Sequence, residues 1–160
     1  MDYVMKLSVI LLATLLVVSG LAAQTPPLIR TSGPGYDGAI VQRTQTRDRI
    51  GISWTPTATL VREAETLLPI YLDSSAAASR LRYTAIRSQL AQYKRQYWGL
   101  SSGNRRVMQI HFFHQETPVV QKGRWLKSVV SVMGGGDRYF HVTYESERRS
   151  FTGLWVNAPE

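Results

Sequence analysis

Tyr93-Lys-Arg-Gln-Tyr-Trp-Gly-Leu100, Val107-Met-Gln-Ile-His-Phe-Phe113, Leu126-Lys-Ser-Val-Val-Ser-Val-Met133, Tyr139-Phe-His-Val-Thr-Tyr144 and Phe151-Thr-Gly-Leu-Trp-Val-Asn157 follow one another in a single stretch. Apolar residues recur at every second position through much of it, the period of a half-buried strand. Ser101-Ser-Gly-Asn104, a polar loop with Pro118 and Gly123, Gly134-Gly-Gly-Asp137 and the charged run Glu145–Arg149 punctuate it with turn residues. The glycine triplet is the strongest of these signals, because glycine takes positive φ without steric cost. The stretch therefore predicts five consecutive strands, mostly antiparallel neighbours across short loops.

Alternation assigns two faces. One carries Trp98, Met108, Ile110, Phe112, Val130, Val132, Phe140, Val142, Leu154 and Val156, an apolar surface that needs a cover. The other carries Arg95, Tyr97, His111, Phe113, Tyr139, His141 and Trp155, a mixture of aromatic and basic groups. Such groups on an open sheet face stack on rings and pair with anions. These seven are the candidate binding residues. Phe151 and Leu154 cannot share a face at strict period two, which predicts a bulge near Thr152-Gly153.

Upstream, Thr55 or Thr57 can cap a helix. Leu60, Ala64, Leu67, Leu68, Tyr71 and Leu72 recur at helical spacing, and Pro69 predicts a kink within that helix. Leu81, Ile86 and Leu90 suggest a second helix over about 79–92, with Arg80, Arg82, Arg87 and Lys94 on its polar side. The expected fold is α+β: two N-terminal helices packed on one face of a curved antiparallel sheet of four to five strands. Residues 54–160 form its single domain, preceded by a flexible linker over 24–53 that prolines and glycines interrupt.

The apolar run Leu7–Gly20, followed by Ala22 and Ala23, has the layout of a secretory signal peptide. Cleavage after Ala22, with Ala23 the near alternative, confines the signal to residues 1–23 and leaves no membrane span in the mature chain. The chain has no cysteine, which excludes disulfides, thiol catalysis and a lipidated cysteine at the cleavage site. A periplasmic or secreted address follows. The net charge of +8 favours anionic envelope components or an acidic protein as partners. Nucleic acid fits the charge and disagrees with the address.

The motifs carry little chemistry. His111 and His114 are an odd number apart on a strand and point to opposite faces. Glu116 joins only His114, and two ligands make a poor metal site, so no metal is expected. Gly134-Gly-Gly-Asp137 lacks the following helix that a phosphate-cradling loop requires, and no cofactor is expected. His111 and His141 could share acid–base work as a small hydrolase, although nothing in the sequence sets them side by side. A protein inhibitor acting through its hairpin loops is a further alternative. A non-enzymatic binding module that uses the open sheet face is the leading expectation.

Trp54-Thr-Pro-Thr57, Ala64-Glu65 with Leu68 and Tyr71-Leu72, Tyr93-Lys-Arg-Gln-Tyr97-Trp-Gly99, Gly134-Gly-Gly-Asp137 with Phe140-His-Val-Thr-Tyr144, and Phe151-Thr-Gly-Leu154-Trp-Val-Asn157 form a set over residues 54–158. As a set they resemble a family of small exported proteins of Gram-negative bacteria with no assigned chemistry. The resemblance implies an export signal and one α+β domain, and supplies no catalytic residues.

Overall fold

The computed structural model describes residues 28–43, 51–81 and 85–159. The expected signal peptide and residues 24–27 and 44–50 of the expected linker lie outside the described residues. The core is one six-stranded mixed sheet in the order β1-β2-β3-β4-β5-β6. Its strands are β1 (Ile29–Gly33), β2 (Tyr36–Ile40), β3 (Tyr93–Ser102), β4 (Arg105–His114), β5 (Tyr139–Glu145) and β6 (Ser150–Val156). Among the described residues one long helix, α1 (Ala58–Asp73), packs on one face.

This architecture corrects the expected pair of helices on a four- to five-stranded antiparallel sheet. Part of the expected linker is a hairpin: Pro34-Gly35 turns it, with Gly35 at φ +76, and Arg30 bonds Asp37 across it. β2 then pairs parallel to β3, from Asp37 opposite Lys94 to Ile40 opposite Tyr97. The expected second helix is absent from the described part of 79–92, which holds turns and a 3-10 segment at Leu90–Gln92. Its apolar residues Leu81 and Ile86 are five apart, about 140° off a common helical face, and the chain buries them without a helix. A helical turn at Ser75–Ala78 precedes them.

Residues 126–133 are likewise not a strand. Gln96, fully buried on β3, takes up backbone groups that a strand would have paired. Its Nε2 donates to the carbonyls of Trp125 and Ser128 at 2.7 and 2.8 Å, and its Oε1 accepts from the Val130 amide at 3.0 Å. The segment from Pro118 to Val132, with short helical turns at Pro118–Gln121 and Arg124–Leu126, therefore lies over the sheet face opposite α1. Val119, Trp125 and Val130 pack there against Trp98, Phe113 and Ala39. Gly134-Gly-Gly-Asp137 consequently leads from this cover into β5 and does not join two strands.

The helix and the strand alternation behave largely as their spacing requires. Thr57 caps α1, accepting from the Leu60 amide at 3.2 Å, and Val61, Ala64, Leu68 and Leu72 form its buried stripe. The helix continues through Pro69 to Asp73. In β6 the pairing shifts between His141–Trp155 and Thr143–Thr152, which inserts one extra residue at a glycine with φ +61, Gly153. That bulge lets Phe151 and Leu154 both face the core. Trp54 lies flat on β3 where Gly99 leaves room: a Cβ there would sit 2.2 Å from the indole. The indole Nε1 donates to the Leu100 carbonyl at 3.0 Å.

Between α1 and the sheet lies a charged pair. Arg95 and Glu65 side chains are 1% and 6% exposed, with Nε 3.0 Å from Oε1. Nε finds no well-aligned acceptor, so this contact is chiefly coulombic. The Tyr97 hydroxyl donates to the same carboxylate oxygen at 2.9 Å, and the guanidinium also donates to the carbonyls of Tyr93, Gly35 and Leu90. Burial pushes the Glu65 carboxyl above its usual range, against the pull of Arg95 and Tyr97. A raised carboxyl pKa means that ionisation is favoured less in the folded chain than in the unfolded one. The pair is thus expensive to hold and more expensive to break on one side. Glu65→Leu should cost about 3–5 kcal/mol in urea unfolding by stranding the guanidinium. Adding Arg95→Met should recover part of that loss, and a double variant no more stable than Glu65→Leu would show the two side chains to be uncoupled.

Candidate functional site

The register of β3 on β4 sorts the seven candidate residues. Tyr93, Arg95, Tyr97 and Gly99 stand opposite His114, Phe112, Ile110 and Met108. Arg95 and Tyr97 therefore lie on the helix side, 1% and 0% exposed. Their expected place on an open face is corrected: they hold α1 and are closed to any ligand. Trp98, expected in that core, belongs to the other side, where it is 3% exposed under the cover segment. Phe113 is buried there too, edge-on to half-buried Tyr139 at 6.3 Å.

The remaining three candidates come together. Gln96, His111, His141 and Trp155 are successive cross-strand partners, one each from β3, β4, β5 and β6. The imidazoles of His111 and His141 stack at 4.8 Å between centroids with planes 10° apart. The indole of Trp98 closes on the far side of His111 at 4.1 Å. Gln96 anchors the cover at one end of the row, and Trp155 ends it in solvent, 64% exposed.

Where the cover segment stops short of β6, this row is open to solvent. A hollow of about 350 Å³ has His111, His141, Tyr139, Met133, Ser131 and Trp155 among its walls. A second one of about 250 Å³ is lined by Trp98 and Gln109 together with the same two imidazoles. Asn157 holds the rim, its Nδ2 donating to the carbonyls of Val132 and Gly134 at 2.9 Å each. None of the described residues lining these two hollows carries a formal charge at neutral pH. Arg80, beside an outer shelf next to Trp155, spends a guanidinium N–H on the Leu154 carbonyl.

Both imidazoles are uncharged at neutral pH. Burial, and then the neighbouring ring of His141, lower His111 from 6.5 to about 3; burial also lowers His141. Neither ring has a hydrogen-bond partner among the described residues. Their nearly parallel planes keep the in-plane nitrogen lone pairs of the two rings in separate layers, so the pair as placed does not converge on one metal ion. His114, on the helix side, is instead occupied by Gln92, 3.1 Å from its Nε2.

The sequence reading missed Gln96, Trp98, Ser131, Met133 and Asn157. A signal existed for Trp98: a two-residue turn at Gly103-Asn104 pairs odd positions of β3 with even positions of β4. No comparable signal marked Gln96, whose role depends on a segment about 30 residues away. No family model, curated protein or solved structure matches this chain. The resemblance drawn above accordingly remains one of local motifs.

Acid should expose the burial of these rings. The unfolded chain takes up protons at His111 near pH 6.5, whereas the native chain does so only near 3. The stability held above pH 6.5 should fall on acidification through that window, by roughly 1.4 kcal/mol per pH unit for a fully shifted group. Urea midpoints measured from pH 7 to pH 4 should drop less steeply in His111→Leu than in the parent. Equal slopes would mean that His111 titrates normally in the folded protein.

Proposed function

We propose that this protein is an exported, non-enzymatic binding module that holds a small ligand in the cleft between its cover segment and strands β4–β6. The observation that carries this reading is the pair of neutral imidazoles, without a hydrogen-bond partner among the described residues, at the meeting point of two hollows. Buried polar groups normally have partners, and a group left open at a cleft is available to a ligand. The apolar run Leu7–Gly20 with Ala22-Ala23 supports export. No described helix is long and apolar enough to cross a membrane.

Acid–base hydrolysis by His111 and His141 gains from their 4.8 Å separation. It requires one ring to hold a proton at working pH and another group to orient it. Burial withdraws that proton from both rings, and no carboxylate orients either among the described residues. Loop-mediated inhibition suits Gly134–Asp137 less well. Gly136 donates to the Ala158 carbonyl, and the Tyr93 hydroxyl donates to that of Asp137, which tie the loop down.

Binding is tested on the full-length protein with ¹⁵N-labelled histidine. Dialysable fractions of cell-envelope extract are added, and the ring resonances of His111 and His141 are followed. A saturable shift of both, with His114 unmoved, is expected. Ring resonances that ignore every fraction would remove the cleft as a binding site.

A further inference from the structure

Resting on that reading of the cleft, we propose that its ligand is a neutral sugar ring of a glycan, stacked on Trp155 with hydroxyls on the imidazoles of His111 and His141. A neutral imidazole offers one N–H donor and one lone pair, and a hydroxyl group, with one O–H donor and two lone pairs, can pair with either. Two imidazoles without partners among the described residues thus match a ligand bearing several hydroxyls. A purely apolar ring would leave both imidazole edges unpaired, at the cost of their lost contact with water.

Charge argues in the same direction. The protein carries +8 overall, yet the two inner hollows are lined by uncharged residues. Exposed cations such as Lys122, Arg124 and Lys127 lie on the cover segment and not among these linings. An anion entering the cleft would give up its water for donors without a compensating positive charge. A metal ion would find no convergent pair of lone pairs.

Shape completes the match. A sugar ring has an apolar C–H face and a hydroxyl rim. Trp155 offers a flat indole, 64% exposed, at the edge of a hollow of about 350 Å³, the small end of the range for ligand pockets. Met133, 97% exposed on the cover segment, lines the same hollow. Trp155 is the cross-strand partner of His141, so a ring on the indole brings its rim towards that imidazole.

The test titrates purified full-length protein with chitotriose, cellotriose and maltotriose, and separately with heparin and Zn(II). Tryptophan emission and the histidine ring resonances are the readouts. At least one neutral trisaccharide should shift the emission and the resonances of His111 and His141 saturably. Trp155→Ala should weaken that binding at least tenfold and leave the Tm unchanged, since the side chain is largely in solvent. The proposal is overturned if no trisaccharide moves these signals, if heparin or Zn(II) moves them instead, or if binding survives Trp155→Ala. Envelope fractions that shift the imidazoles while neutral sugars do not would remove the sugar and keep the binding site. Silence in both experiments would remove both.

Discussion

The two-residue turn at Gly103-Asn104 is the constraint on which the other contacts depend. Gly103 takes φ +59 there, and the strands leave the turn with Ser102 opposite Arg105. From that point every side chain of β3 and β4 has a fixed side, because a slip of one residue would exchange the faces. Arg95 and Tyr97 fall beneath α1, where Glu65 meets both. Gln96 and Trp98 fall on the opposite side, where the cover segment needs an anchor and His111 a neighbouring ring. The pairing of β4 with β5 then sets His141 beside His111.

The sheet is thus a partition between two unlike layers. On the helix side an apolar stripe of α1 packs on stacked Phe112 and Phe140, whose centroids are 4.1 Å apart, and a costly ion pair is buried among them. On the other side an irregular segment replaces a helix, and its backbone is satisfied one group at a time. Gln96 supplies three of those hydrogen bonds and Asn157 two more. A cover built this way is narrower than the sheet, and the outer strands β5 and β6 keep an uncovered margin there. The cleft is that margin, which explains why it contains ring systems and side-chain amides and few charges.

Much of this was legible from spacing. The helix from Ala58, its Thr57 cap, strands β4 to β6 and the bulge at Gly153 all follow from local periodicity or a misfit in it. The errors have physical causes. Alternation sends Arg95 outside once Trp98 is counted as inward, yet the register puts Trp98 on the other side and Glu65 and three carbonyls compensate the guanidinium inside. Val129, Val130 and Val132 have strand propensity, but a single buried amide from β3 captures their neighbourhood. The hairpin at 29–40 looked like linker because Pro34 and Gly35, which make its turn, are also what linkers contain. The candidate site was half legible: His111, His141 and Trp155 were on one face as read, while their closeness depended on pairing between strands that no local pattern encodes.

The parallel pairing of β2 with β3 has a kinetic side. Asp37 and Lys94 form an ion pair across 57 positions of chain, and both α1 and Trp54 lie within that span. The N-terminal hairpin therefore has no sheet to join until β3 exists, while β3 to β6 can assemble by neighbouring hairpins. Loop closure of that length is the slow kind of contact. By sequence separation, the docking of β1–β2 on β3 is the costliest closure in the sheet. Until it occurs, the edge of β3 stays bare and open to pairing with another chain.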